Sequence, residues 1–134
     1  FIRGSVIVGK NSVVGNSTEL KNAILMDCVQ VPHFNYVGDS VLGYKAHLGA
    51  GSIISNVKSD KSNVSVLING SKTDTGLRKF GAIVADYVEI GCNAVLNPGT
   101  IIGRNSNVYP TSMVRGVIGE NMIFKAQNNI VKKI

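Results

Sequence analysis

The chain has 134 residues, enough for one domain with a continuous core, and only 16% of them are charged. Its net charge of +6 invites an acidic ligand, yet aromatic residues are only 6%, the basic ones are scattered and no reader motif occurs, so a small phosphate-bearing ligand is expected and nucleic acid is not. No apolar run is long enough for a membrane span, no signal peptide is visible, and Cys28 and Cys92 lack metal-ligand spacing, so free thiols in a reducing cytoplasm are expected.

The chain opens on Phe1, halfway into a repeat, which suggests a fragment lacking N-terminal residues. From there an aliphatic residue recurs every sixth position as Ile2, Val8, Val14 and Leu20. One residue is skipped before Leu25, Val31 and Val37, and another before Leu42, Leu48 and Ile54. A helix repeats near 3.6 residues and a strand alternates every two, so a period of six fits neither as a surface pattern. It fits a coiled parallel β-helix, in which each hexad supplies one short strand and one corner. Gly often follows the rung, as at Gly9, Gly15, Gly38, Gly43 and Gly49, where it relieves the turning backbone. A sandwich of hairpins would not hold one phase across consecutive hexads.

His33 interrupts this regularity. It stands two places after the rung Val31, where a side chain should point off the coil, and Tyr36 and Asp39 follow closely. It is either an exposed histidine without a task or a base: free imidazole, with a pKa near 6.5, is available at neutral pH to take a proton from an attacking amine.

After Ile54 the period disappears until Val84. Residues 58–79 form a polar excursion carrying Lys58, Lys61, Lys72, Arg78 and Lys79, and Val64–Ile68 runs into Asn69-Gly70, a pair favoured in two-residue hairpin turns. A projecting hairpin arm is expected, in a position where long loops serve binding or cover a site. The ladder then resumes as Val84, Ile90, Leu96, Ile102, Val108 and Val114 without a slip. Sixteen rungs in all, three to a turn, predict about five triangular coils in one domain spanning residues 1–134. The tail, residues 118–134, leaves the period and is expected to cap the open end.

His33-Phe34-Asn35-Tyr36-Val37-Gly38-Asp39, followed by Gly49-Ala50-Gly51 and Asn56 and then by Lys79-Phe80, resembles the acetyltransferase domain of bifunctional glucosamine-1-phosphate acetyltransferase / N-acetylglucosamine-1-phosphate uridyltransferases. It is similar also to archaeal sugar-1-phosphate nucleotidylyltransferases and to bacterial UDP-N-acetylglucosamine pyrophosphorylase-related proteins. The shared form is H-x-x-Y-x-G-D, then G-A-G, then K-F, and the likeness runs from Arg3 to about Arg115.

This resemblance implies an all-β, left-handed parallel β-helix that forms homotrimers with sites in the clefts between subunits. It implies N-acetyl transfer from acetyl-coenzyme A to an amino-sugar 1-phosphate, with no metal required and no membrane partner. Carried over by position, His33 is the general base, and Arg3, Lys21, Tyr36 and Lys79 hold the sugar phosphate. His47 stands at a substrate-binding position where the family has Asn. Ala50 and Asn56 fall where the family contacts the coenzyme, Cys92 replaces a Ser beside it, and Pro110 replaces a small Ala. Val57 also replaces a Tyr, and the 58–79 arm is longer than the family's loop. One alternative is a non-catalytic trimerising scaffold for a nucleotidyltransferase. The chain has no Gly-rich nucleotide-binding loop, so pyrophosphorylase activity is not expected in it. A metal-dependent carbonic anhydrase of the same architecture would need three His ligands, and only His33 and His47 exist.

Overall fold

Three ladders of inward aliphatic side chains run the length of the computed structural model, which describes every residue except Gln127. Face A stacks Ile2, Leu20, Val37, Ile54, Leu96 and Val114 in parallel register. Face B stacks Val8, Leu25, Leu42, Val84, Ile102 and Ile118. Face C stacks Val14, Val31, Leu48, Ile90, Val108 and Phe124. Each ladder is six rungs deep, one turn more than the rung count predicts, because Ile118 and Phe124 extend the coil into the tail. The missing turn was hidden by spacing: Val114 to Ile118 is a shortened repeat, so the rungs continue after the period of six has failed.

Nearly every rung from Leu20 onward is buried to within a few per cent, so each coil contributes its apolar side chains to one continuous core. The chain turns at three edges, named here for the faces they join. Each corner takes one residue in left-handed conformation, such as Ser17, Phe34, Asn93 and Thr111 along the C–A edge. Among the described residues no helix is long and apolar enough to cross a membrane. The last rung, Phe124, lies in Met122–Ala126, which pairs antiparallel with Asn129–Lys132, so a hairpin closes the C-terminal end of face C. An antiparallel partner there occupies a sheet edge that would otherwise offer unpaired backbone groups.

The two skipped residues of the ladder become two tight corners on the A–B edge. Asn22 and Asp39 hold them with φ of 49° each, and they stack in successive coils. The arm leaves the same edge one coil further on. An isolated antiparallel bridge between Val57 and Lys79 closes its root, and Ser65–Ile68 pairs with Ser71–Asp74 as a hairpin. Asn69 and Gly70 sit at the tip with φ of 49° and 79°, the conformation that a two-residue turn between twisted strands demands.

Candidate active site

His33 lies on the C–A edge, exposed, at the end of the strand Gln30–His33. Its imidazole makes no hydrogen bond among the described residues, whereas its backbone is held on both sides. The His33 carbonyl accepts from the Gly51 amide at 3.0 Å, and its amide donates to Asn35 Oδ1 at 3.2 Å. Asn35 is buried, and its Nδ2 donates to the carbonyls of Gly49 (2.9 Å) and Ser52 (3.3 Å) in the next coil. The same inward corner slot holds Thr18, Ser52, Ala94 and Ser112 in other coils. An amide in a slot meant for a hydroxyl or methyl group reaches further, and it ties the His33 corner to the coil below. Asn35 is therefore a positioning residue that the motif contained and the sequence reading passed over. Its visible signal was an oversized polar side chain in a small-residue column.

Removing that amide takes the acceptor from the His33 amide and one donor each from the Gly49 and Ser52 carbonyls, which keep those of Ser52 and Tyr36, at a cost of about 1 kcal/mol. Asn35→Ala is therefore expected to lower the melting temperature, and also to lower turnover by loosening the imidazole. The two effects separate when turnover is measured well below the melting transition.

Ala50, Cys92 and Pro110 follow His33 down the same edge. The Asn93 amide donates to the Ala50 carbonyl and the Thr111 amide to the Cys92 carbonyl, so these corners stack coil upon coil. Pro110 crowds against Gly91, where a Cβ would come within 2.4 Å of the proline nitrogen. The result is a narrow track of small side chains, with exposed Cys92 in its middle and His33 toward its N-terminal end.

A second group gathers on the A–B edge round Asp39. Its carboxylate accepts from Lys21 Nζ at 3.0 and 3.1 Å, from Asn22 Nδ2 at 2.7 Å and from Asn56 Nδ2. The Asp39 side chain is only 8% exposed. Burial pushes its pKa up, but the hydrogen bonds from Asn22, Asn56 and Lys21, with the Lys21 charge, outweigh this and hold the carboxyl below the usual range. Gly38 makes the cluster possible. A Cβ there would meet the Tyr36 hydroxyl at 2.6 Å and the Asn56 amide nitrogen at 2.7 Å, so only glycine lets both close in. Thus Tyr36, Gly38 and Asp39 of the motif serve one corner, and His33 serves another.

A depressed carboxylate pKa stabilises the fold above the unfolded value, near 3.9, and loses that contribution as pH falls through the folded value. Asp39→Asn is expected to cost about 2 kcal/mol at neutral pH. The gap between the two melting curves should begin to narrow below about pH 4 and close only at lower pH, where the folded wild-type carboxylate protonates too.

The remaining residues fall around these two groups. Arg3 extends over face A and pairs with Glu19 at 3.1 Å, one coil from Tyr36 in register. Lys79 is exposed at the arm root, next to Phe80, whose amide donates to the Asn56 carbonyl at 3.0 Å. Asn56, placed by resemblance beside the coenzyme, lies on the A–B edge with Lys21 and away from the Ala50–Pro110 track. His47 points outward from face C, and its Nδ1 lies 2.7 Å from Glu89 Oε2 in the next coil. Among the described residues no three His, Cys, Asp or Glu side chains are grouped to hold a metal.

No protein-family model matches the chain. It is 34% identical over 125 residues to the bifunctional sugar-1-phosphate nucleotidylyltransferase/acetyltransferase of Sulfurisphaera tokodaii, covering 93% of this chain and 31% of that protein. It is 30% identical over 135 residues to the bifunctional protein GlmU of Methanocaldococcus jannaschii, covering 100% of this chain and 33% of the relative. The chain thus spans about a third of the length of these curated relatives. Its fold superposes on the acetyltransferase domain of PglB from Neisseria gonorrhoeae, solved with acetyl coenzyme A, at a TM-score of 0.73 and 19% identity over 98% of this chain and 53% of that one. AntD, an N-acyltransferase from Bacillus cereus solved with dTDP and 3-hydroxybutyryl-CoA, gives 0.73 at 17% identity over 96% of this chain and 71% of that one. In sequence and in fold the chain resembles the hexapeptide-repeat acetyltransferase domain of the bifunctional sugar-1-phosphate enzymes, a left-handed parallel β-helix.

Proposed function

We propose that the chain transfers an acetyl group from acetyl-coenzyme A to the amine of glucosamine-1-phosphate or galactosamine-1-phosphate, in UDP-N-acetylhexosamine synthesis. The observation that carries this reading is the pair of edges bounding face A. One is a small-residue track leading to exposed His33, and the other gathers Lys21, Tyr36 and Asn56 round Asp39. Coenzyme A lies along the track past Pro110, Cys92 and Ala50, with its thioester at His33. Lys21, Lys79 and Arg3 take the sugar phosphate, as point charges and a planar fork respectively. The neutral amine attacks the thioester carbonyl, His33 accepts the ammonium proton, and backbone amides stabilise the tetrahedral oxyanion. Collapse releases coenzyme A as its thiol and leaves the amide. This chemistry needs neither a metal nor a covalent enzyme intermediate. Its setting is the cytoplasm, where Cys28 and Cys92 stay reduced.

The two edges belong to different copies in each site. Lys21 lies beside Gly38, which follows His33 by roughly 15 Å of extended chain round a corner. The amine and phosphate of a hexosamine 1-phosphate are only a few ångström apart, so two copies that each bring one edge present both groups to one sugar more readily than two edges of one copy. In a triangular coil the C–A edge points about 60° from the normal of face A, so contact between that face and the next copy's edge closes after three copies. The outward row Ile53, Val95 and Met113 on face A is apolar, as a buried contact requires, with Met113 51% exposed in the single chain. Three equivalent sites result.

A thiol-release assay with acetyl-coenzyme A and either amino-sugar phosphate tests the reaction. Turnover with one of them is expected, and His47→Asn should change the preference between the two. Absence of release with both would leave the chain as a trimerising scaffold.

A further inference from the structure

The arm bends back over the A–B edge. Val64 is fully buried, and a Cβ on Gly99 would come within 2.4 Å of the Ser65 carbonyl oxygen. Leu67 rests over Gly116, whose Cβ position is 3.4 Å from Leu67 Cδ1. Both glycines have positive φ, 84° and 86°, so the coil presents bare, left-handed corners where the arm lies down. Between hairpin and edge runs a groove of about 600 Å³.

Val66, Leu67 and Pro98 form its apolar lining, and Lys58, Lys72 and Arg115 reach it from three separate segments. Lys72 is the register partner of Leu67, so both side chains leave the same side of the hairpin, the side that faces Gly116 and its neighbour Arg115. Neither Lys72 nor Arg115 pairs with a carboxylate among the described residues. The one carboxylate in the lining, Asp60, accepts from the Ser62 amide at 3.0 Å and hydroxyl at 2.8 Å and faces Lys58 at 3.8 Å. Two cations without counter-charges therefore meet over an apolar wall.

We propose that this groove binds a phosphate ester of nucleotide size at a site separate from the Asp39 cluster. The arm root divides the two: Ser55 lines the groove, while the next residue, Asn56, turns its amide to Asp39. The volume lies within the range of small-molecule pockets. Inorganic phosphate alone would leave the apolar wall in water, so the ligand carries a flat, partly apolar body beside its charge, as a nucleoside phosphate does. Adenosine 3′,5′-bisphosphate, the nucleotide end of coenzyme A, and uridine diphosphate, that of a sugar nucleotide, share this chemistry. The inference stands independently of the acetyl-transfer reading.

Calorimetric titration of the full chain with adenosine 3′,5′-bisphosphate, uridine diphosphate, uridine and inorganic phosphate tests it. One or both nucleotides should bind more tightly than uridine or phosphate, and the tighter of the two identifies the source. Lys72→Ala/Arg115→Ala should weaken that binding about tenfold or more with an unchanged melting curve, since both side chains are exposed. Lys21→Ala should leave it intact. Undetectable nucleotide binding, binding that survives the double substitution, or binding abolished by Lys21→Ala would each overturn the assignment.

Discussion

Replacing His33 with alanine lowers kcat for acetyl transfer by about 10²–10⁴-fold, the range that a positioned general base contributes. KM for acetyl-coenzyme A and for the amino-sugar phosphate should change little, because the coenzyme track continues below His33 in later coils, the Asp39 cluster lies on another edge, and neither shares a hydrogen bond with the imidazole. Folding should also be unaffected. The side chain is exposed, and the hydrogen bonds that hold the corner come from the His33 backbone and from Asn35, which the substitution leaves in place. A drop in both kcat and KM, or a lowered melting temperature, would assign His33 a different task. Steady-state kinetics beside a thermal melt distinguishes these outcomes.

Val95→Asp abolishes assembly and most of the activity together, although Val95 touches neither edge of the site. Its side chain stands in the middle of the outward row on face A, between Ile53 and Met113 in register. In the proposed trimer this row would be buried, and three unpaired carboxylates would have to lose their hydration there, at several kcal/mol each. In the single chain the position is only half-buried and faces solvent, so the coil still folds. Sedimentation should show a monomer with an intact circular-dichroism spectrum, and turnover should fall by more than about 100-fold if each site is completed by two copies, as proposed. An active monomer would show that one chain completes the site.

The aliphatic repeat made the coil legible because every rung has the same job, filling a triangular section, whatever its neighbours. The hairpin was legible for a local reason as well: Asn69-Gly70 takes the left-handed conformations of its turn without tertiary help. What periodicity could not convey is which corners meet. The skips before Leu25 and Leu42 can be absorbed at corners, as the ladder alone suggests, but only the fold shows that those corners stack Asn22 on Asp39 and draw Lys21 and Asn56 in. The coenzyme contact expected of Asn56 from the motif likewise gave no hint that, within one chain, its amide reaches Asp39 beside Lys21, where Gly38 leaves it room. Asn35 escaped notice because its work is done inside the coil, whereas the search for chemistry followed side chains that leave it. The extra turn was missed where Val114 to Ile118 breaks the period but keeps the register.

The central claim is that His33 of one copy works on a sugar held by the A–B edge of another, and subunit mixing tests it most directly. His33→Ala and Lys21→Ala are each expected to be nearly inactive alone. Unfolded together in equal amounts and refolded, they should regain about a quarter of wild-type activity, because random trimers place an intact His33 edge against an intact Lys21 edge at about one site in four. Recovery at that level is the predicted result. A mixture no more active than its two components would contradict a site shared between copies.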